Sequence, residues 1–295
     1  MIISASRRTD LPGLYAPWLR AVFAKGRCTV RNPFNAKQVQ EISLHDDDVD
    51  AVVFWTRHAR PVLDWVPVLL RRGYRFYFQY TITGYPRALE ARTPPVDVAI
   101  RTCRELAARL PAGAVVWRYD PLLVGDALPA AYHAERFARI ASGLEGAVRR
   151  VVVSTVEPYR KTVRRVGARL EWGKDLYQDG ALNPAVGELL LRLVTIARAH
   201  GIDLEACAPA TELTALRIRK TKCIDDALLA ALFGGAWPHT KDRGQRAACA
   251  CIPSKDIGAV DTCTFGCAYC YATRSDPLAH ARRRTHDPNS DRLIP

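Results

Sequence analysis

Cys263, Cys267 and Cys270, in the run CTFGCAYCYA, are the residues of this chain whose spacing says most about chemistry. A CxxxCxxC spacing can wrap three thiolates around one [4Fe-4S] cube and leave the fourth iron without a protein ligand. That iron is then open to a small molecule that chelates it through an amine and a carboxylate. Zinc is the rival occupant, since cysteines two residues apart are as common in zinc ribbons, but zinc takes four ligands and this run supplies three. A second set, Cys207, Cys223, Cys249 and Cys251, has the number needed to close a cluster or a zinc site completely. As an auxiliary cluster it would transfer electrons, anchor substrate or give up a sulfide for sulfur insertion. Cys28 and Cys103 lie apart from both sets and read as core residues.

Seven of the nine cysteines fall between Cys207 and Cys270. The start MIISASRRTD has too short an apolar run for a signal peptide, and no segment approaches the roughly 20 apolar residues of a membrane span. The expected location is therefore the cytoplasm, with no membrane contact, where reduced thiols favour metal or redox chemistry over disulfides. The seven histidines show no metal-ligand spacing. A net charge of +13 and a pI near 9.5 bias the chain toward anionic partners. The basic runs RKTVRR (Arg160 to Arg165), RIRKTK (Arg217 to Lys222) and RRR (Arg282 to Arg284) lack the aromatic interleaving of a single-strand binding platform. Nucleic acid is compatible with them and not specifically indicated.

Something must hold these cysteines against a substrate. Short β-branched runs alternate with helical patterns up to about residue 208, the βαβ rhythm of a parallel sheet. Strands are expected at Ile2 to Ser6, Val49 to Thr56, Arg75 to Thr83, Ala114 to Tyr119, Arg150 to Val156 and Ile202 to Ala208. Helices are expected at Tyr15 to Lys25, Arg60 to Arg72, Val96 to Leu110, Ala130 to Leu144, Arg160 to Leu170 and Pro184 to His200. Gly26, Gly73, Gly113 and Gly201 close helical patterns where breakers are needed. Six βα units fit a partial (β/α)6 barrel, and an open doubly wound sheet leaves nearly the same pattern. With 295 residues, 48% of them hydrophobic, one domain with an extension is preferred. Residues 1–210 would form the α/β barrel, and residues 211–295, with one helix around Ile224 to Leu232, a cysteine-rich extension folded over its mouth.

Working residues of such folds gather at the carboxyl ends of the strands, and here those ends are polar. Taken singly, Asp10 or Asp120 caps the next helix and Ser154 satisfies a loop. Taken together they line a cavity. Arg118 and Asp120 stand two residues apart, hence on one side of a strand, where they can pair or bind opposite ends of a zwitterion. Arg8, Asp10, Arg118 and Asp120 are the catalytic candidates, and Arg7, Asn32, Gln79, Thr81, Ser154 and Tyr269 the cofactor-binding ones.

The ten residues around Cys267 resemble the motif of the radical S-adenosylmethionine (SAM) enzymes. Tyr269 stands where that superfamily carries an aromatic residue, its backbone near the adenine of SAM. The resemblance implies a [4Fe-4S] cluster and SAM as cofactors, a deoxyadenosyl radical as hydrogen abstractor, a TIM-like partial barrel, and an external electron donor of the flavodoxin or ferredoxin type. The motif's position departs from the pattern, for it normally follows the first strand. The run TFGCAYCYA is also similar to the cysteine motif of spore photoproduct lyase, over those residues alone.

Longer phrases, ISASRRTDLP, VRNPFNAKQV, VDAVVFWTRHARP, FYFQYTITGYP, WRYDPLL, VVVSTVEPY, CIDDALL and KDRGQRAACACIPSKDIG, resemble the bacterial family known as domain of unknown function 1848. That family is described as carrying at its C-terminus the cysteines that radical SAM enzymes carry at their N-terminus. In CAPATEL this chain keeps Cys207 but departs at the acidic residue that similar proteins have soon after it. The expected function is thus radical SAM chemistry on an anionic or nucleotide-like substrate. The alternative is a zinc-stabilised, basic, nucleic-acid-binding protein without catalysis.

Overall fold

Each expected strand becomes a strand of one parallel sheet. The structure, a computed structural model, describes the chain except residues 33, 34, 36, 156–158, 169–176, 179, 180 and 210–212. Strand β1 (Ile2–Ala5) leads to helices α1 (Leu11–Leu14) and α2 (Ala16–Lys25), then to a hairpin of β2 (Arg27–Arg31) and β3 (Val39–Ser43). There follow β4 (Ala51–Thr56), α3 (Val66–Arg71), β5 (Phe76–Thr81), α4 (Val96–Ala107), β6 (Val115–Leu122), α5 (Ala130–Leu144), β7 (Arg150–Thr155) and α6 (Arg160–Gly167). A two-residue pair, β8 (Tyr177–Gln178) and β9 (Ala181–Leu182), precedes α7 (Pro184–Ala199) and β10 (Asp203–Cys207). The chain continues through β11 (Arg219–Thr221), α8 (Asp226–Phe233), β12 (Lys255–Asp256) and α9 (Asp276–Arg284). The expected ends of β7 at Val156 and of α6 at Leu170 lie outside the described residues.

The sheet has eight strands in the order β11-β10-β7-β6-β5-β4-β1-β12, every pair parallel. From β1 to β10 each strand lies beside its predecessor in the chain, so the order never reverses as a doubly wound sheet must at its switch point. Among the described residues nothing pairs β11 with β12, so the α/β fold is an eight-stranded parallel sheet flanked by helices with no closed barrel. The two edge strands both come from the segment after residue 210. They are three and two residues long and polar, which is why no apolar run announced them.

Strand alternation divides the side chains between two cores. Phe54, Phe78 and Val115 share one register row and face the helices, with Trp117, Phe137 and Leu193 fully buried among them. Helix α5 contributes His133, Phe137, Ile140, Ala141 and Leu144 at helical spacing. Burying each such large side chain contributes about 1.5–3 kcal/mol. On the other face, Ile2, Ala51, Val53, Tyr77, Ala114, Val116 and Val152 pack against Ile224, Leu228, Leu229, Trp237 and Ile252. The segment after residue 210 therefore covers the inner face of the sheet as well as extending its edges. Two residues further along the strands that face turns polar: Trp55 and Gln79 share a row, and Thr81 aligns with Arg118.

Candidate metal centre

A cavity of about 390 Å³ opens at the carboxyl ends of the strands, and all seven cysteines of the two sets line it. None is in a disulfide. Arg7, Arg8, Asp10, Thr81, Arg118, Asp120, Ser154 and Tyr269 line it too. Sequence positions from Ser6 to Ala272 are thereby brought to one chamber, as the polar strand ends foretold.

The loop that carries Cys263, Cys267 and Cys270 is tied down through its backbone. Cys267 bridges Glu90 in antiparallel fashion. The Ala268 amide donates to the Leu89 carbonyl at 2.8 Å, the Arg92 amide to that of Phe265 at 3.0 Å, and Arg92 Nε to that of Thr264 at 2.5 Å. Gly266 has φ +74°, a left-handed conformation that favours glycine in the turn between the first two cysteines. From the other side Arg165 donates to the carbonyls of Thr273, at 2.8 Å, and Cys270. Tyr15 Oη donates to the Thr262 carbonyl at 2.7 Å.

Behind Tyr269 sits a buried ion pair. Arg57 Nη1 meets Glu90 Oε1 at 2.8 Å with their side chains 13% and 4% exposed. Arg57 also donates to the Tyr269 hydroxyl, and that hydroxyl and Thr83 donate to Glu90. The Arg57 guanidinium stands 5.6 Å from the Tyr269 ring centre. Tyr269 is thus held by its ring and hydroxyl at the chamber wall. Burial pushes the Cys267 thiol up to about 12, partly opposed by the Arg57 charge. Burial first, and then the nearness of Cys270 and Cys267, raise the Cys263 thiol as well. Three thiols brought to one end of the chamber by one tied-down loop are a donor set that a multivalent cation would complete. The residues present fit an iron–sulfur cluster. Thr9 Oγ1 and Trp55 Nε1, both at the chamber wall, are buried without a hydrogen-bond partner, as expected of groups that await a ligand.

The second set converges from three places: Cys207 ends β10, Cys223 lies between β11 and α8, and Cys249 and Cys251 lie in the loop before β12. Cys207 and Cys223 Sγ are 2.9 Å apart, and Cys251 Sγ accepts the amides of Cys223 and Ile224 at 3.3 and 3.4 Å. Hydrogen bonds from Cys223 and Cys249 hold the Cys251 thiol far below its ordinary range, and one from Cys223 lowers that of Cys207. Among the described residues no three His, Cys, Asp or Glu side chains are arranged to hold a single metal ion.

Arg118 spans the two chemistries of the chamber. It meets Asp120 Oδ2 at 2.6 Å and donates to Cys223 Sγ at 3.0 Å and Gln79 Oε1 at 3.3 Å. Ser154 donates to the other Asp120 oxygen. Trp55 lies between two guanidinium groups, Arg118 at 5.4 Å and Arg7 at 5.9 Å from its centre. Asp10 is a helix cap: it accepts from the Gly13 amide at 2.8 Å, from Thr56 Oγ1 at 2.8 Å and from the Arg57 amide at 2.6 Å. Burial lifts its carboxyl to about 6 against the pull of those bonds. Gln79 is buried behind the chamber wall, donating to the Cys223 carbonyl at 2.8 Å.

Asn32 is the one candidate placed elsewhere. It follows β2 in the hairpin and donates to Gln38 Oε1 at 2.7 Å, because VRNPFNAKQV turns back on itself and does not end a strand of the large sheet. Sequence reasoning missed Arg57, Glu90 and Asp256. Asp256, on β12, accepts from Ser4 Oγ (2.8 Å), Ser6 Oγ (2.6 Å) and the amides of Arg7 (2.8 Å) and Gly258 (3.0 Å), and so shapes the SASRR turn. Arg57 was readable as the residue after a polar strand end, whereas Glu90, in irregular chain, carried no signal.

The basic runs do structural work. Arg165 and Arg282 hold loop carbonyls, Arg283 lies 5.1 Å from the Tyr15 ring centre, Arg219 pairs with Glu205 at 2.9 Å and Lys222 with Asp226. Among the described residues no helix is long and apolar enough to cross a membrane. The family described as a domain of unknown function (DUF1848) matches residues 2–272. No curated protein and no solved structure matches the chain at a significant level.

Proposed function

The chain belongs to the DUF1848 family, and on that premise we propose that it is a radical SAM enzyme whose catalytic cluster is held by Cys263, Cys267 and Cys270. The observation that carries this reading is the shared chamber: a three-cysteine motif from the end of the chain and the polar ends of the strands line one volume of about 390 Å³. A cluster held by these three cysteines would supply one electron, taken from a flavodoxin- or ferredoxin-type donor, for cleavage of the sulfonium C5′–S bond of SAM into methionine and a 5′-deoxyadenosyl radical able to take a hydrogen atom from substrate.

The chain's own residues do the rest. Three thiolates leave one iron open, and the Arg57–Glu90–Tyr269 network fixes the loop that bears them. Arg118 and Asp120 present a cation and an anion side by side, suited to the charged ends of SAM or substrate. Arg7, Arg8 and Arg118 among the lining residues favour an anionic or nucleotide-like substrate. Trp55 and the buried Phe265 supply aromatic wall to the chamber. The sequential order of the parallel strands supports a partial, unclosed TIM-like arrangement with the site at the strands' carboxyl ends. Zinc-tied nucleic-acid binding gains little, because arginines of the basic runs are engaged in anchoring loops.

The test is reductive cleavage of SAM. Anaerobically reconstituted protein should be brown, absorb broadly near roughly 400 nm as ferric–sulfide centres do, and release 5′-deoxyadenosine with dithionite. Cys267→Ala should abolish that release. A variant that cleaves SAM as well as the native chain would refute the assignment.

A further inference from the structure

We infer that Cys207, Cys223, Cys249 and Cys251 form a second iron–sulfur centre, ligated wholly by the protein and facing the same chamber as the first. The inference goes beyond the function proposed above and does not depend on it, since none of its four thiols belongs to the first trio. All four are at most 8% exposed, none is in a disulfide, and each lines the cavity. The first two sulfurs are 2.9 Å apart, well beyond the ~2.05 Å of a disulfide. Four buried thiols converging from three separate segments are the complete donor set of a cubane cluster.

The surroundings are those of a redox centre. Two backbone amides reach Cys251 Sγ at 3.3 and 3.4 Å, and the Arg118 guanidinium reaches Cys223 Sγ at 3.0 Å. Hydrogen bonds and positive charge aimed at ligand sulfur orient the ligands and set a cluster's potential.

A structural zinc would have little to do here. The Cys223 carbonyl already accepts from Tyr77 Oη at 2.7 Å and Gln79 Nε2 at 2.8 Å, and the Ile252 amide donates to the Ile224 carbonyl at 3.2 Å. Ile224, Leu229 and Ile252 are fully buried in the inner core. Packing and hydrogen bonds already fix these loops. A centre whose four ligands all line the cavity touches whatever fills it.

The experiment reconstitutes three proteins without oxygen and measures iron, sulfide and zinc: the full chain, a Cys263→Ala/Cys267→Ala/Cys270→Ala variant, and a variant with serine at Cys207, Cys223, Cys249 and Cys251. With four irons per cube the expected contents are about 8, about 4 and about 4 irons per chain. The dithionite-reduced triple variant should give its own paramagnetic resonance signal. Contents of about 4, 0 and 4 irons, or one colourless zinc per triple variant, overturn the second centre while leaving the first intact. Contents of about 4, 4 and 0 uphold the second centre and remove the first, so the two failures are distinct. The single Cys249→Ser variant, with every other ligand present, guards against loss of fold. Its second signal should change and its first should not; an unchanged second signal in folded protein overturns the assignment as well.

Discussion

At the scale of single residues, the two sets of thiols stood out by number and spacing, and the fold brings all seven to one cavity. The groups that steady them did not stand out. Glu90 matters because it is buried against Arg57, and burial is a property of the folded chain that its neighbours in sequence do not encode. Removing one partner of a buried pair strands the other charge, at a cost of about 3–5 kcal/mol. Arg57→Met should lower stability by that much in urea melts of the metal-free protein. Arg57→Met combined with Glu90→Gln should recover most of the loss. Equal destabilisation by both variants would mean that the cation serves by packing alone. Asp10 illustrates the opposite ambiguity: a carboxylate before a proline-containing first turn reads equally as cap or as acid, and its three hydrogen-bond donors assign it the first of those positions.

Among the elements, six βα units were legible because long amphipathic helices and β-branched strands have distinct periods. The β2–β3 hairpin was not, since Cys28 and Ile42 are its only fully buried positions and two points make no pattern. Tertiary placement also sets the acid behaviour of α5. His133, fully buried, accepts from or donates to Tyr119 Oη at 2.9 Å through Nδ1 and meets the Leu123 carbonyl at 2.7 Å through Nε2. Burial lowers its pKa from 6.5 to about 4. The unfolded chain therefore binds this proton more readily than the native one between those values. Stability from this group is complete above pH 6.5 and declines as the medium is acidified toward pH 4, by about 3 kcal/mol in all. Urea melts from pH 7 to pH 4 should show that slope in the native chain and lack it in His133→Phe, whatever the variant's absolute stability. Parallel curves would exclude His133 as the titrating group.

For the whole molecule, the permuted position of the cysteine motif could be noticed in the sequence, but how it reaches the strand ends could not. The answer is that β12 pairs with β1 and Asp256 binds the turn after β1, so the far end of the chain is hydrogen-bonded to its beginning. The inner apolar face, from Ile2 to Val152, is covered by Ile224, Leu228, Leu229, Trp237 and Ile252. A fragment of residues 1–208 should consequently bind anilinonaphthalene sulfonate and melt without a cooperative transition. Cooperative melting of that fragment would show that the first six βα units are self-sufficient. There is a temporal side to this arrangement. All seven thiols of the two sets lie at or beyond residue 207, so a ribosome working at about 5–20 residues per second makes the strands from β1 to β7 seconds before it delivers the last of those sulfurs. A polypeptide halted before Cys207 carries neither set of thiols, so under the function proposed above iron uptake would wait until most of the chain has been made.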